Sequence, residues 1–252
     1  METMETKKIE WQGCEGIEFM WEDCVCKLIR PNCKPNGKWV LKTEYFSAFP
    51  ATEAELLARG WHIASQANKT RWAMPDDVER KARFVRFVTE TFGLEERCST
   101  VGMSCGGLYA TMLAGAHPEL VDVLYIDAPV LNLLSCPCGL GVAQSGLYEG
   151  FVAATGLTKT DMLSYRNHPI DKLPILIAND IPVVMVAGGA DATVPYIENG
   201  AVLEKYYNEH GGRLKLWIKP GQDHWPHGLV GRESEVADAI EAFAAENAAK
   251  RA

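Results

Sequence analysis

Long apolar runs are missing from this sequence: nowhere do about eighteen apolar residues follow one another, so no membrane-spanning helix is expected. A basic excess is missing as well. Lys and Arg number 25 against 33 Asp and Glu, a formal net charge of -8. That balance excludes a nucleic-acid partner, which needs a basic surface to neutralise phosphates, and it mildly disfavours anionic substrates. No C-x-x-C pair or cysteine–histidine spacing completes a zinc pattern, so no metal is expected. The eight cysteines, at 14, 24, 26, 33, 98, 105, 136 and 138, read instead as small buried hydrophobes in a reducing compartment. Disulfides or a metal remain the alternative for the four crowded between residues 14 and 33. The opening Met-Glu-Thr-Met-Glu-Thr has no apolar core and reads as an alternative start or cloning scar, outside the fold. The expectation is a cytoplasmic protein without a membrane partner, a trimmed signal peptide being the alternative.

What is present is an ordinary globular balance, 47% hydrophobic and 23% charged. Spread over residues 1–252 without repeat or linker, it fits one large α/β domain. Gly16–Trp21 and Cys24–Arg30 alternate like a hairpin. Trp39–Tyr45 and Trp61–Ser65 read as strands around a helix from Pro50 to Arg59, and Pro75 opens an amphipathic helix to about Phe92. Further strands are read at Cys98–Val101, Val121–Ile126, Ile181–Ala187 and Arg213–Lys219, with helices from Gly107, from Pro195 to His210 and from Glu233 to Lys250. Strands alternating with helices predict a mostly parallel sheet covered on both faces. Between about Asn132 and Asp180 the pattern loosens around Gly139, Gly141, Gly146 and Gly150, which predicts a small cap over the C-terminal edge of the sheet.

Chemistry concentrates at Gly102-Met-Ser-Cys-Gly106, where a strand gives way to a helix. A serine on such a turn has a strained backbone and an exposed hydroxyl, and the flanking glycines remove side chains that would clash. Ser104 is the candidate nucleophile, with the N–H of Cys105 at the helix start as an oxyanion donor. A serine needs a base, and the base an anionic partner. Asp191, on the glycine turn after Ile181–Ala187, is the candidate acid, with Asp127 at the end of the neighbouring strand as the alternative. His224, just past the last strand, is the candidate base, with His227 as its competitor. The second oxyanion donor is expected on the loop after Trp39–Tyr45, at Phe46 or next at Ser47. Trp72 and Trp225 are candidate substrate contacts or plain packing. His62, His117, His168 and His210 read as structural or exposed.

Together these residues resemble the α/β-hydrolase superfamily over about residues 16 to 250. More narrowly, Gly102-Met-Ser-Cys-Gly-Gly-Leu108 and Asp223-His-Trp-Pro-His-Gly-Leu229 resemble a bacterial esterase group related to prolyl oligopeptidase-like and carbohydrate esterase-like hydrolases. The resemblance implies hydrolysis of a small-molecule ester, often an acyl group on a sugar, without a cofactor. Cys105 departs from that pattern, where a basic or large residue is usual. A peptidase, thioesterase or lyase on the same scaffold, or a catalytically silent binding protein, are the other readings.

Overall fold

A computed structural model describes residues 4–251. Nine strands form one sheet: β1 (Thr6–Trp11), β2 (Cys14–Trp21), β3 (Cys24–Ile29), β4 (Trp39–Lys42), β5 (His62–Gln66), β6 (Cys98–Met103), β7 (Val121–Asp127), β8 (Val183–Gly188) and β9 (Leu214–Lys219). Their order across the sheet is β1-β2-β3-β5-β4-β6-β7-β8-β9. The first three strands form an antiparallel meander that joins β5, and from β5 onward every neighbouring pair is parallel. β1 is a correction to the sequence reading, because the strand already begins at Thr6. Its lysines and glutamate face water on an edge strand, and so they hide the apolar alternation that marks a half-buried strand.

The described residues also form eight α-helices, α1 (Ala51–Ala58), α2 (Pro75–Phe92), α3 (Cys105–Ala116), α4 (Tyr148–Thr155), α5 (Lys159–Ser164), α6 (Leu173–Ala178), α7 (Gly200–Glu209) and α8 (Glu233–Arg251). α2 is bounded as its sequence dictates: Pro75 sits at the first turn, where a missing N–H costs nothing, and Gly93 closes the helix at φ 67°. The helix expected from Pro195 begins later. A single tight turn at Tyr196–Glu198 precedes α7.

The parallel strands are buried on both faces, as their near-continuous apolar runs require. On one face Leu28, Trp39 and Leu41 pack with Phe84 and Val85 of α2 and Leu113 of α3. On the other, Ile29, Val40, Val123 and Tyr125 pack with Leu56 of α1 and with Val236 and Ile240 of α8. Each such side chain contributes roughly 1.5–3 kcal/mol of burial.

The excursion expected between Asn132 and Asp180 divides in two. Leu173 and Leu176 of α6 belong to the core beneath the sheet, whereas Phe151 of α4 packs with Trp72, Leu108 and Tyr109 in a separate cluster above α3. Only the earlier part, with Ser145 and Leu147, reaches the cavity that holds Ser104. Gln144 N–H donates to the Ala192 carbonyl at 2.7 Å, and Glu198 accepts from Ser135 Oγ at 2.6 Å and Val142 N–H at 2.7 Å. These bonds moor the excursion to the turn that follows β8.

Candidate active site

The C-terminal ends of the parallel strands converge on one cavity of about 280 Å³, lined by Tyr45, Phe49, Arg71, Ser104, Leu147, His224, Trp225 and His227 among others. Ser104 stands between β6 and α3 at φ 53° and ψ -118°, a conformation that costs energy for any residue with a Cβ and is held by its surroundings. Its N–H donates to the Asp127 carbonyl at 2.9 Å, and its carbonyl accepts from Gly107 N–H at 3.0 Å and Val130 N–H at 3.1 Å. The glycines are steric requirements. A methyl on Gly102 would strike the Gly106 carbonyl, and one on Gly107 would strike Pro129.

Ser104 Oγ lies 3.1 Å from His224 Nε2, and His224 Nδ1 lies 2.7 Å from Asp191 Oδ2. Both His224 and Asp191 are almost fully buried. Asp191 Oδ1 also accepts the N–H groups of Thr193 at 2.9 Å and Val194 at 2.7 Å, so the carboxylate cannot rotate away from the imidazole. Because a carboxylate only accepts, it fixes the proton of a neutral His224 on Nδ1 and leaves Nε2 free to accept from the serine hydroxyl. The alternatives Asp127 and His227 form a pair of their own, Nδ1 to Oδ1 at 2.8 Å, without contact to the serine hydroxyl.

On the loop after β4 the cavity is lined by Tyr45, Ala48 and Phe49, and by neither Phe46 nor Ser47. Tyr45 adopts φ 52°, and its carbonyl accepts Ala48 N–H at 2.8 Å, a turn that swings Phe46 out against Trp11 at 4.7 Å. Periodicity along a strand carries no signal for such a left-handed residue. Cys105, which opens α3, is buried, and burial pushes its thiol up to about 11. It stays a neutral thiol beside Ser104.

Beneath the loop Lys42 is fully buried with Glu53; its Nζ also donates to the Ala48 carbonyl at 3.0 Å and meets Met103 Sδ. The sequence reading passed over this pair, because a lysine at a strand end ordinarily reaches solvent.

The two tryptophans part company. Trp225 is 57% exposed, lines the cavity and meets the His224 ring at 4.8 Å. Trp72 is buried edge-on against Phe151 at 5.1 Å and does not line that cavity. Among the described residues all eight cysteines are free thiols and no cluster of metal-ligating side chains occurs. No helix among them is long and apolar enough to cross a membrane.

A sheet of this order with a serine elbow between β6 and α3 defines an α/β-hydrolase. The chain belongs to the prolyl oligopeptidase family, whose model matches residues 59–251. Its fold is similar to that of a puromycin hydrolase, with TM-score 0.68 and 17% identity over 98% of this chain and 38% of that one. The chain thus spans about two fifths of that protein's length. It is similar also to an S-formylglutathione hydrolase from Agrobacterium tumefaciens, with TM-score 0.66 and 13% identity over 96% of this chain and 99% of that one.

Proposed function

We propose that the protein is a serine hydrolase of carboxylic esters with short acyl groups, and that Ser104, His224 and Asp191 act as its triad. The observation that carries this reading is the continuous bonded line from Ser104 Oγ through the His224 ring to Asp191. In it, His224 Nε2 takes the serine proton as Oγ attacks the ester carbonyl, and Asp191 stabilises the imidazolium. The oxyanion is received by the Cys105 N–H at the start of α3 and by a second main-chain N–H from the loop after β4. As the tetrahedral adduct collapses, the imidazolium returns its proton to the departing alkoxide, leaving an acyl-serine. Water, deprotonated by His224, then releases the acid.

A peptidase is the second reading, favoured by the family to which the chain belongs. The ester reading is supported by the cavity: about 280 Å³ of space, closed over in part by Ser145 and Leu147, suits a small acyl group better than a run of peptide residues. The deciding experiment labels the protein with a fluorophosphonate and then compares p-nitrophenyl acetate with dipeptide p-nitroanilides. Labelling at Ser104 with preferential ester turnover supports the proposal. Faster turnover of the anilides would replace it with the peptidase reading, and absence of labelling would point to a binding protein.

A further inference from the structure

His227 is a second buried imidazole in the cavity, and the triad does not use it. Its Nδ1 meets Asp127 Oδ1 at 2.8 Å, while the other oxygen of that carboxylate accepts the Gly228 N–H. Asp127 is anchored in turn by β7, whose last carbonyl receives the Ser104 N–H. The acceptor carboxylate keeps the proton of the neutral ring on Nδ1, so a lone pair remains on Nε2. No hydrogen bond to that nitrogen occurs among the described residues, and His227 lines the cavity. A polar atom on a ring held so firmly, left without a protein partner at the edge of the site, is suited to a hydrogen bond from a bound molecule.

Its position selects which half of the substrate it meets. The His224 and His227 rings lie 4.9 Å apart at 80°, and His224 is the group that returns a proton to the departing oxygen. A side chain beside that ring faces the alcohol half rather than the acyl half. Phe49, edge-on at 5.1 Å, walls the same corner.

We propose that His227 reads the leaving group, its Nε2 accepting a hydrogen bond from a hydroxyl carried next to the scissile ester oxygen. The inference rests on the ester-hydrolase reading above. A lone pair accepts from O–H and repels an ether oxygen, which has no proton to give. A hydroxyl is favoured over a cationic amine, because no Asp or Glu lines this cavity to receive an ammonium group. The substrate class is therefore a monoester of a polyol.

The test compares 2-hydroxyethyl acetate with 2-methoxyethyl acetate, two esters of similar size and leaving-group acidity, on the intact chain. The wild type is expected to show a kcat/KM ratio of about tenfold or more in favour of the hydroxyl, the worth of one well-placed hydrogen bond. His227→Leu should bring the ratio close to one, and His227→Gln, whose amide oxygen reaches toward the same point, should restore part of it. A wild-type ratio near one, or an undiminished ratio in His227→Leu, overturns the inference. If the leucine variant fails to fold in a thermal melt, the wild-type ratio and the glutamine variant still decide. Hydrolysis that survives Ser104→Ala would sink the serine-triad reading on which the inference rests, whereas a Ser104-dependent activity blind to the hydroxyl sinks only the role of His227.

Discussion

Asp223 Oδ1 accepts the main-chain N–H of Ala192 at 3.1 Å and so ties the loop that bears His224 to the turn that bears Asp191. The same oxygen accepts the His224 N–H at 2.7 Å. These bonds hold the exposed Asp223 carboxyl below its usual range. Two segments 31 residues apart in sequence thereby set the 2.7 Å contact between His224 and Asp191. Removing the side chain, as in Asp223→Ala, should lower kcat on a chromogenic ester by about tenfold while the melting temperature shifts little, because the residue is exposed. A loss beyond about a thousandfold would place Asp223 in the chemistry itself.

Ser104→Ala should abolish ester turnover, with a loss on the order of 10³-fold or more, and leave the fold intact. The check is kcat/KM on p-nitrophenyl acetate beside a thermal melt. Retention of more than about a tenth of the activity would remove Ser104 from the role of nucleophile.

His224→Ala and His227→Ala should separate. The first should approach the serine variant in severity, since no other base touches Ser104 Oγ among the described residues. The second should be milder in turnover of the same chromogenic ester but should lower the melting temperature, because it strips the buried Asp127 carboxylate of its imidazole. The reverse order of severity would exchange the two assignments.

Acid should loosen the excursion over the site. His168 Nδ1 accepts the Leu133 N–H at 3.2 Å, and burial holds this histidine below its ordinary pKa despite the opposing charge of Asp171. The folded protein thus resists protonation more than the unfolded chain does. Stability from this group is complete above about pH 6.5, the unfolded value, and is lost as the pH falls from there toward the lower folded value. The protection factor of the Leu133 amide, corrected for the intrinsic exchange rate at each pH, should fall at pH 5 relative to pH 7, more than at core strands such as β7. Equal protection at both pH values would remove His168 as the fastening.

Much of the fold is legible because the parallel strands carry unbroken apolar runs, as at Val183–Gly188, and because Pro75 and Gly93 mark the ends of α2. Ser104 and the positions of Asp191 and His224 after their strands follow from the same punctuation. Other features leave no local trace. The charged edge strand β1 lacks alternation, and the positive φ of Tyr45 is set by a turn rather than by a glycine. Lys42 and Glu53 meet across eleven residues in a site that composition alone would assign to water. The Asp127–His227 pair was legible only as two competitors for roles in the triad; its separate existence depends on how β7 and the loop after β9 are brought together across 100 residues.

The buried lysine bears on how this site could be moved between proteins. Lys42 closes β4, Glu53 lies in α1 and Met103 ends β6, yet one ammonium group joins them under the loop that carries Tyr45. A chimera that imports residues 43–49 into another hydrolase without the cation and its counter-ion would import the spelling of the loop and lose its shape. One that transfers the three supporting residues with it carries a self-contained module, whose foundations lie in three elements scattered along the chain.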